Sequence, residues 1–506
     1  MPKNNSHINN NISSNTNKNN EGRSVIHSRT GKQGKKQNSN TDNTEVMRID
    51  HIEVTDEVLT DRSGLLLFAR YLSKINIYPL INKYFSNMRK SKKGIPIDEL
   101  FKQLFCYFLD GTSLHLIRFD EIKADDGYAE TIESKRERML SSHSAKRFFK
   151  SFSPVRIWKL RKLLQDLFIW RLNIEKPSIV ILGIDTTVLD NDDAVKREGV
   201  KYTYKKTKGF QPLLIYYGSY VIDSVFRGGD KHSNYKDTVV KSIYHIAERI
   251  RKEYRADVPI ILRSDAGFFD QKNFEAFEEM HIGYICGGRV YNDIREKADR
   301  LNVLNASFHK YYDREGKTVW KYTEFMDKRE NWEKPRRAIY MRTDANSSEG
   351  GLTLFFTGKD SIIYTNIGIQ EEVNSLLVNS GNKRYLKTDK IIETYHSRGN
   401  DELINRYIKE FGTEHMPFKR FLPNAAFYYI MCLSFFLYES FKRDVLDSTS
   451  ASISPTIFRR RFIDFAARIT HTGRKIILKI TRWVWKRINI LYLWERCNNP
   501  PAISTA

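Results

Sequence analysis

Three carboxylates stand out by type and setting. Asp185 closes the run Ser178-Ile-Val-Ile-Leu-Gly-Ile-Asp185, and Asp265 closes Val258-Pro-Ile-Ile-Leu-Arg-Ser-Asp265. Each sits just past an apolar, β-branched stretch of the kind that forms a strand buried on both faces. Ligands and catalytic groups collect at the carboxyl ends of strands in an open α/β sheet, and an unpaired carboxylate beside a buried strand is costly. One strand-end Asp is commonly a helix cap; two, on strands that should be neighbours, argue for a shared task. The third carboxylate, Glu402, lies in Ile392-Glu-Thr-Tyr-His-Ser-Arg-Gly-Asn-Asp-Glu-Leu-Ile-Asn-Arg-Tyr-Ile-Lys409. At about 100° per helical residue, Tyr395, Arg398, Glu402, Arg406 and Lys409 fall on one stripe, with Glu402 flanked by cations. Arg398 and Arg406 at i±4 from Glu402 read equally as a surface salt-bridge ladder. A ladder leaves Tyr395 unexplained, as it does Leu403, Ile404, Tyr407 and Ile408 packing elsewhere. Gly399 weakens the first turn, so a helix starting only at Asp401, with Tyr395 and Arg398 in the loop before it, stays open.

Three converging acids repel one another unless hard divalent cations lie between them. Mg²⁺ takes one or two carboxylates per ion and leaves room for water and phosphate oxygens. Two such ions about 4 Å apart activate the attacking oxygen and stabilise the leaving one in an in-line phosphoryl displacement. Arg398 would then hold the phosphate through its planar fork and Lys409 as a point charge.

The elements that must position these groups can be read along the chain. Residues 1–45 are rich in Asn, Ser and Lys with almost no large apolar side chains, a composition expected to stay disordered. Residues 46–172 read as a helical N-terminal region for DNA binding; His143, Lys146, Arg147, Lys150, Arg156, Lys159, Arg161 and Lys162 make part of it basic, as a DNA-end face or as an ordinary charged outer face. From 173 to 289 three strands, a helix, and then strand–helix–strand give the order of a ribonuclease-H-like core, resumed at 388–445. The fold class is therefore α/β, a mixed sheet with flanking helices. Residues 290–387 read as a β-rich insertion, with strand-like 352–356 and turns at Glu315-Gly316 and Glu349-Gly350-Gly351. Residues 446–506 read as basic and helical, carrying Arg459, Arg460, Arg461, Arg474, Lys475, Lys479, Arg482, Lys486 and Arg487 among Ile and Trp; a phosphate-tracking helix and a plain amphipathic one fit equally.

The 84 Lys+Arg against 61 Asp+Glu leave a formal charge of +23, which favours a polyanionic partner, nucleic acid first. Cys106, Cys286, Cys432 and Cys497 are too far apart for a zinc site and read as reduced thiols of a cytosolic protein. No apolar signal core opens the chain, and the apolar run 427–438 is shorter than the ~20 residues of a membrane span, so it is expected to be a buried helix.

With these residues in view, the segment around Glu402 resembles the Tyr-x2-Arg-x3-Glu-x6-Lys signature of a branch of bacterial insertion-sequence transposases, with Tyr395, Arg398, Glu402 and Lys409 in all four places. Gly-Ile-Asp185-Thr-Thr and Arg-Ser-Asp265-Ala-Gly-Phe are similar to that family's two Asp motifs, and Lys208-Gly-Phe-Gln-Pro212 and Arg227-Gly-Gly-Asp-Lys-His-Ser233 to segments between them. The resemblance spans roughly 60–440. It implies a DDE transposase in which Asp185, Asp265 and Glu402 are catalytic and hold two Mg²⁺ (or Mn²⁺) ions, while Tyr395, Arg398 and Lys409 contact DNA. It implies cleavage at the inverted repeats that end a mobile element and transfer of the 3′-OH to target DNA, often through a hairpin. It further implies double-stranded DNA as partner, a dimer on DNA, no membrane and no organic cofactor, and a bacterial cytoplasmic, nucleoid-associated setting. A tryptophan of the insertion, Trp320 or Trp332, is a candidate to stack on a flipped base, although each reads first as a core residue. Two other functions fit the same residues: a catalytically silent DNA-binding regulator, and a metal-dependent nuclease of the same fold.

Overall fold

The structure, a computed structural model, describes residues 49–88, 94–303, 309–312, 318–330, 332–343 and 360–504. The 1–45 stretch, the turns at Glu315-Gly316 and Glu349-Gly350-Gly351 and the 352–356 segment lie outside them. The chain divides into two units, Met1–Asp56 and Glu57–Ala506. Residues 49–56 of the first carry no helix or strand, and the described helices and strands all belong to the second.

That second unit opens with strand β1 (Val58–Thr60) and helices that include α1 (Leu65–Lys74), α2 (Ile97–Asp110) and α3 (Pro154–Glu175). α3 starts where sequence says a helix should: Pro154 sits in its first turn and the Ser153 hydroxyl accepts the Arg156 N–H. The chain then turns to strands: β2 (Val180–Thr186), β3 (Leu189–Asp190), β4 (Lys201–Tyr202), β5 (Lys208–Phe210), β6 (Leu213–Tyr217) and β7 (Tyr220–Val225). Next come α4 (Thr238–Glu253), β8 (Ile260–Ser264), α5 (Gln271–Glu279) and β9 (Gly283–Gly287). β10 (His309–Tyr312), β11 (Thr318–Asp327), β12 (Arg336–Thr343) and β13 (Ser361–Thr365) follow. The last part holds α6 (Thr388–His396), α7 (Gly399–Phe411), α8 (Phe421–Val445), β14 (Ala467–Thr472), β15 (Lys475–Ile480) and α9 (Arg482–Ile488).

Among the described residues the main sheet has nine strands in the order β10-β11-β12-β13-β9-β8-β2-β6-β7. β2, β8 and β9 run parallel, while β6 and β7 form an antiparallel meander beside β2. Every residue of β8 and β9 is buried, which is why their sequences run apolar instead of alternating.

One expectation changes and two gain detail. The 290–387 region does hold strands, and they join the core sheet: β13 pairs antiparallel with β9, so β10 to β13 extend it. The physical reason is the edge of β9, a row of backbone groups that needs a partner, and apolar Ser361-Ile-Ile-Tyr-Thr365 supplies it. The region 446–506 is not wholly helical, because β14 and β15 form a hairpin whose other neighbour is β1. Gly473, at φ 59, makes its tight turn, and Lys475-Ile-Ile-Leu-Lys-Ile480 is β-branched as a strand prefers. Lys475 and Lys479 thus lie on a strand, while Arg482, Lys486 and Arg487 lie on helix α9 as expected. The apolar run 427–438 is indeed part of a buried helix, but α8 spans 25 residues, long and apolar enough by composition to cross a membrane, with 89% of the apolar window buried inside the protein. Past the run, Lys442 pairs with buried Glu439 at 2.8 Å within the same helix.

One hydrophobic cluster runs from Leu65 on α1 through α8 to Ile503, so the outer helices share a core with the sheet, and a second gathers Ile261, Ile285, Ile339 and Ile363 of the sheet with Ile391 and Ile392 of α6. All four cysteines are buried and free.

Candidate active site

Asp185 and Asp265 lie at adjacent points of one sheet edge, because β2 and β8 are parallel neighbours in register from Val180↔Ile260 to Ile184↔Ser264. Asp185 is the next residue on β2, and its Oδ1 accepts the Thr186 N–H at 2.7 Å. Asp265 begins the turn after β8. Its Oδ1 accepts the Gly267 N–H at 2.9 Å, so it does cap a turn, while Oδ2 faces Arg398 on the other side.

The glutamate arrives on α7. The helix is not continuous through Tyr395: α6 ends at His396, and a tight junction leads into α7, with the Arg398 N–H bonded to Tyr395 O and the Asp401 N–H to Arg398 O. Tyr395 therefore belongs to the preceding helix, and Arg398 stands at the junction. Arg398 still reaches the acids, with Nη2 3.4 Å from Glu402 Oε1 and Nη1 3.7 Å from Asp265 Oδ2. Of the cations on the expected stripe, only Arg398 pairs with Glu402 among the described residues; Arg406 is exposed and lies over Tyr407. Ile404 and Ile408 pack inward as expected, whereas Leu403 is 40% exposed.

The charges explain the site's electrostatics. Burial and the neighbouring Asp265 carboxylate push Asp185 up to about 7, against the pull of Arg398. The Tyr395 hydroxyl packs against Gly287 at the end of β9, where a Cβ would collide with it. Burial raises it to about 12 although Arg398 opposes the rise. The Cys286 thiol is likewise pushed up to about 12 by burial, so it stays protonated beside Asp265.

Lys409 is held apart from this group. Its ammonium pairs with Glu414 at 2.9 Å, and the same carboxylate oxygen accepts the Asp190 N–H at 3.3 Å. Trp320 and Trp332 are 5% and 6% exposed. Trp320 stacks on His396 with centroids 4.7 Å apart, and Trp332 packs among Phe269, Phe274 and Tyr364. Both are core residues. Two of the cations counted on basic faces are structural. Arg161 binds Asp223 through Nε and Nη2 and reaches Ser242, and Arg459 donates to the carbonyls of Phe108, Leu109, Glu410 and Phe411, closing the ends of α2 and α7.

Three supporting residues escaped sequence reasoning. Arg263, inside the apolar run of β8, grips buried Asp401 at 2.9 and 3.1 Å and also bonds Ser397 Oγ and Thr394 O. This clamp ties β8, which leads into Asp265, to the α6–α7 junction and the start of the helix that carries Glu402. Gly183 makes room for it, since a Cβ there would meet the Asp401 carboxylate. Asn405, one turn after Glu402, donates to Asp185 Oδ2 at 3.0 Å and accepts from the Tyr216 hydroxyl. A charge within an apolar strand was the available signal for Arg263. Asp401 and Asn405 look like any polar residues of a helix.

Among the described residues no group of three or more His, Cys, Asp and Glu side chains is spaced to hold a metal ion; Arg398 is the cation between Asp265 and Glu402. The donor chemistry nonetheless suits a hard divalent ion, being all carboxylate oxygen. The repulsion from Asp265 that helps raise Asp185 is what such an ion would relieve.

The mixed sheet thus carries Asp185 and Asp265 at one edge, and Arg398 links Asp265 to Glu402 on α7. Residues 48–496 match the family described as Transposase DDE domain group 1, and the chain belongs to that family. Among solved structures it is similar to a piggyBac transposase synaptic complex with hairpin DNA, at 14% identity over 81% of this chain and 82% of that one, with a TM-score of 0.33. No curated protein matches.

Proposed function

We propose that this DDE transposase is an active enzyme of the insertion-sequence branch with the Tyr-Arg-Glu-Lys signature. In this reading it binds the terminal inverted repeats of its element, cleaves there and joins the 3′-OH ends to target DNA. The strand order β7-β6-β2-β8-β9, with β6 antiparallel and β8 parallel to β2, supports a ribonuclease-H-like core for it. The observation that carries the reading is Arg398, bridging the Asp265 turn and the Glu402 helix at one sheet edge beside Asp185.

In cleavage, water attacks the phosphorus at the element end, the P–O3′ bond breaks, and the departing oxygen takes a proton to become the 3′-OH. In joining, that hydroxyl oxygen attacks a target phosphate, loses its proton and displaces the target's own 3′ oxygen. One phosphodiester is made for each one broken in this step, so no nucleotide cofactor is needed. Asp185, Asp265 and Glu402 would hold two Mg²⁺ or Mn²⁺ ions, which polarise the phosphate and lower the pKa of the attacking oxygen. Arg398 presents a planar donor fork to the phosphate oxygens, and Asn405 and the Arg263–Asp401 clamp keep Asp185 and Glu402 aimed. Tyr395 and Lys409 contact the DNA beside the cut, which for Lys409 requires exchanging Glu414 for a phosphate. Synapsis of two ends calls for a dimer on DNA, in the cytoplasm at the nucleoid.

Purified protein with Mg²⁺ or Mn²⁺ is expected to join DNA ends bearing the repeats that flank its gene to a supercoiled target. Asp185→Asn should abolish cleavage while DNA binding persists. Nicking without joining would favour a nuclease of the same fold, and binding without cleavage by the wild type a silent regulator.

A further inference from the structure

Between β2 and β6 the chain builds a small sheet in the order β3-β5-β4. Its outer hairpin, β4–β5, carries Lys201, Tyr202, Tyr204, Lys205, Lys206 and Lys208. The tip is an ordered turn: the Thr203 N–H and hydroxyl both donate to Thr207 O at 2.9 Å, the Lys206 N–H donates to Thr203 O at 3.0 Å, and Lys206 adopts φ 62. A lysine held at positive φ is less comfortable than glycine would be, so the turn keeps a cation at some conformational cost.

The two tyrosines point outward, 66% exposed at Tyr202 and 61% at Tyr204. Each ring has a lysine over it, Lys208 at 5.0 Å from the Tyr202 centroid and Lys205 at 5.9 Å from that of Tyr204. Exposed aromatics covered on one side by an ammonium do not pack a core.

The hairpin is also tied to the active site. Gly209 lies close against the Leu189 carbonyl, and Gly229 against the carbonyls of Lys201 and Gly209, so the Arg227-Gly-Gly loop grips the base of the hairpin. That loop continues to Asn234, whose side chain donates to Gly267 O at 3.4 Å, in the turn that begins with Asp265. The Tyr204 hydroxyl is held above the ordinary tyrosine range by partial burial and then by the charges of Asp185 and Asp265, which sets its oxygen within their field. The same loop brings Tyr235, with Lys231 and Lys236 at 4.6 and 5.4 Å from its ring.

We propose that the β4–β5 hairpin binds unpaired nucleotides of the DNA end beside the catalytic acids, with Tyr202 and Tyr204 as stacking platforms and the lysines on the phosphates. This inference rests on the transposase reading. The bases of an intact duplex are already stacked and offer no face to a tyrosine, whereas a frayed or looped-out base offers two. Aromatic platforms interleaved with cations are the usual chemistry for single strands, tolerant of sequence because every base has a π-face.

The test uses the full chain in EDTA, so that no cleavage intervenes, with two probes of one arbitrary sequence: a blunt duplex, and the same duplex with a single-stranded tail containing 2-aminopurine. The wild type should bind the tailed probe more tightly and quench its fluorescence. Tyr202→Ala/Tyr204→Ala should lower affinity for the tailed probe about tenfold or more and abolish quenching, with blunt-duplex binding unchanged. Tyr202→Phe/Tyr204→Phe, which keeps both rings, should behave as wild type. Equal losses on both probes, or quenching that survives the alanine pair, would overturn the proposal and leave the hairpin a phosphate contact at most. A wild type that binds neither probe would overturn the transposase reading together with this one.

Discussion

Arg398 is the cation set between two of the three acids of the candidate site. It lies 3.7 Å from Asp265 and 3.4 Å from Glu402, and it also pulls against the rise at Asp185. Arg398→Gln should slow end cleavage by about a hundredfold, the scale of losing one aligned electrostatic stabiliser. Arg398→Lys should restore little of that, since an ammonium lacks the planar fork; full activity of the lysine variant in a cleavage assay would deny the fork any role. Asp185 adds a pH signature. Because its folded pKa is raised to about 7, the ion-free native chain holds a proton there that the unfolded chain releases near pH 4. Native stability attributable to Asp185 is therefore present at low pH, falls as pH rises from about 4 to 7, and is flat above. Asp401, raised by burial to about 6, acts in the same direction, so the informative quantity is a difference. Melting temperatures in EDTA should fall more steeply with pH for the wild type than for Asp185→Asn, and parallel curves would contradict the shift.

Elements bring these residues together, and here the limits of sequence reading are visible. The strand-end placement of Asp185 and Asp265 is legible because buried strands announce themselves as β-branched runs, and the helical placement of Glu402 is legible in its spacing to Arg398 and Lys409. The break between α6 and α7 was half legible in Gly399. The Arg263–Asp401 clamp was not, because its partners are 138 residues apart and no local pattern links a strand interior to a helix start. The β14–β15 hairpin is hidden in the sequence because its lysines and arginines suggest a basic helix, whereas β-branching and Gly473 decide the backbone. The clamp is nearly fully buried on both sides, so removing one partner should be severe: Arg263→Met alone is expected to destabilise by about 3–5 kcal/mol, because it leaves a buried carboxylate unpaired. Replacing both, as Arg263→Met/Asp401→Leu, should recover most of that stability in urea unfolding. Cleavage should stay low in the double variant, because the α6–α7 junction loses its tie to β8. A double variant both stable and fully active would show that the clamp holds the fold without aiming Glu402.

At the scale of the whole molecule, the regions read as helical at the two ends of the 57–506 unit form one body with the main sheet. β1 near the start of the second unit pairs with β14 near its end, and the Ile503 N–H bonds to Ile75 O just past α1. Arg459, from the C-terminal region, caps the ends of both α2 and α7, and Gly111 leaves space for its guanidinium, where a Cβ would collide with it. Cutting the chain after Val445 would therefore strip β1 of its ladder and leave buried carbonyls at two helix ends without their donor, at roughly 1–3 kcal/mol for each unsatisfied group. It would also bare the face of α8 that packs on Phe458, Leu493 and Cys497 within the common core. These losses together approach the whole net stability of a typical domain. Truncation after Val445 should consequently abolish cooperative unfolding and bind hydrophobic dye, while the full chain melts its 57–506 body in one transition. Recovery of a truncated protein with a sharp, wild-type-like melt would mean that the C-terminal region is appended to a self-sufficient catalytic body, and the role assigned to Arg459 would fall with that result.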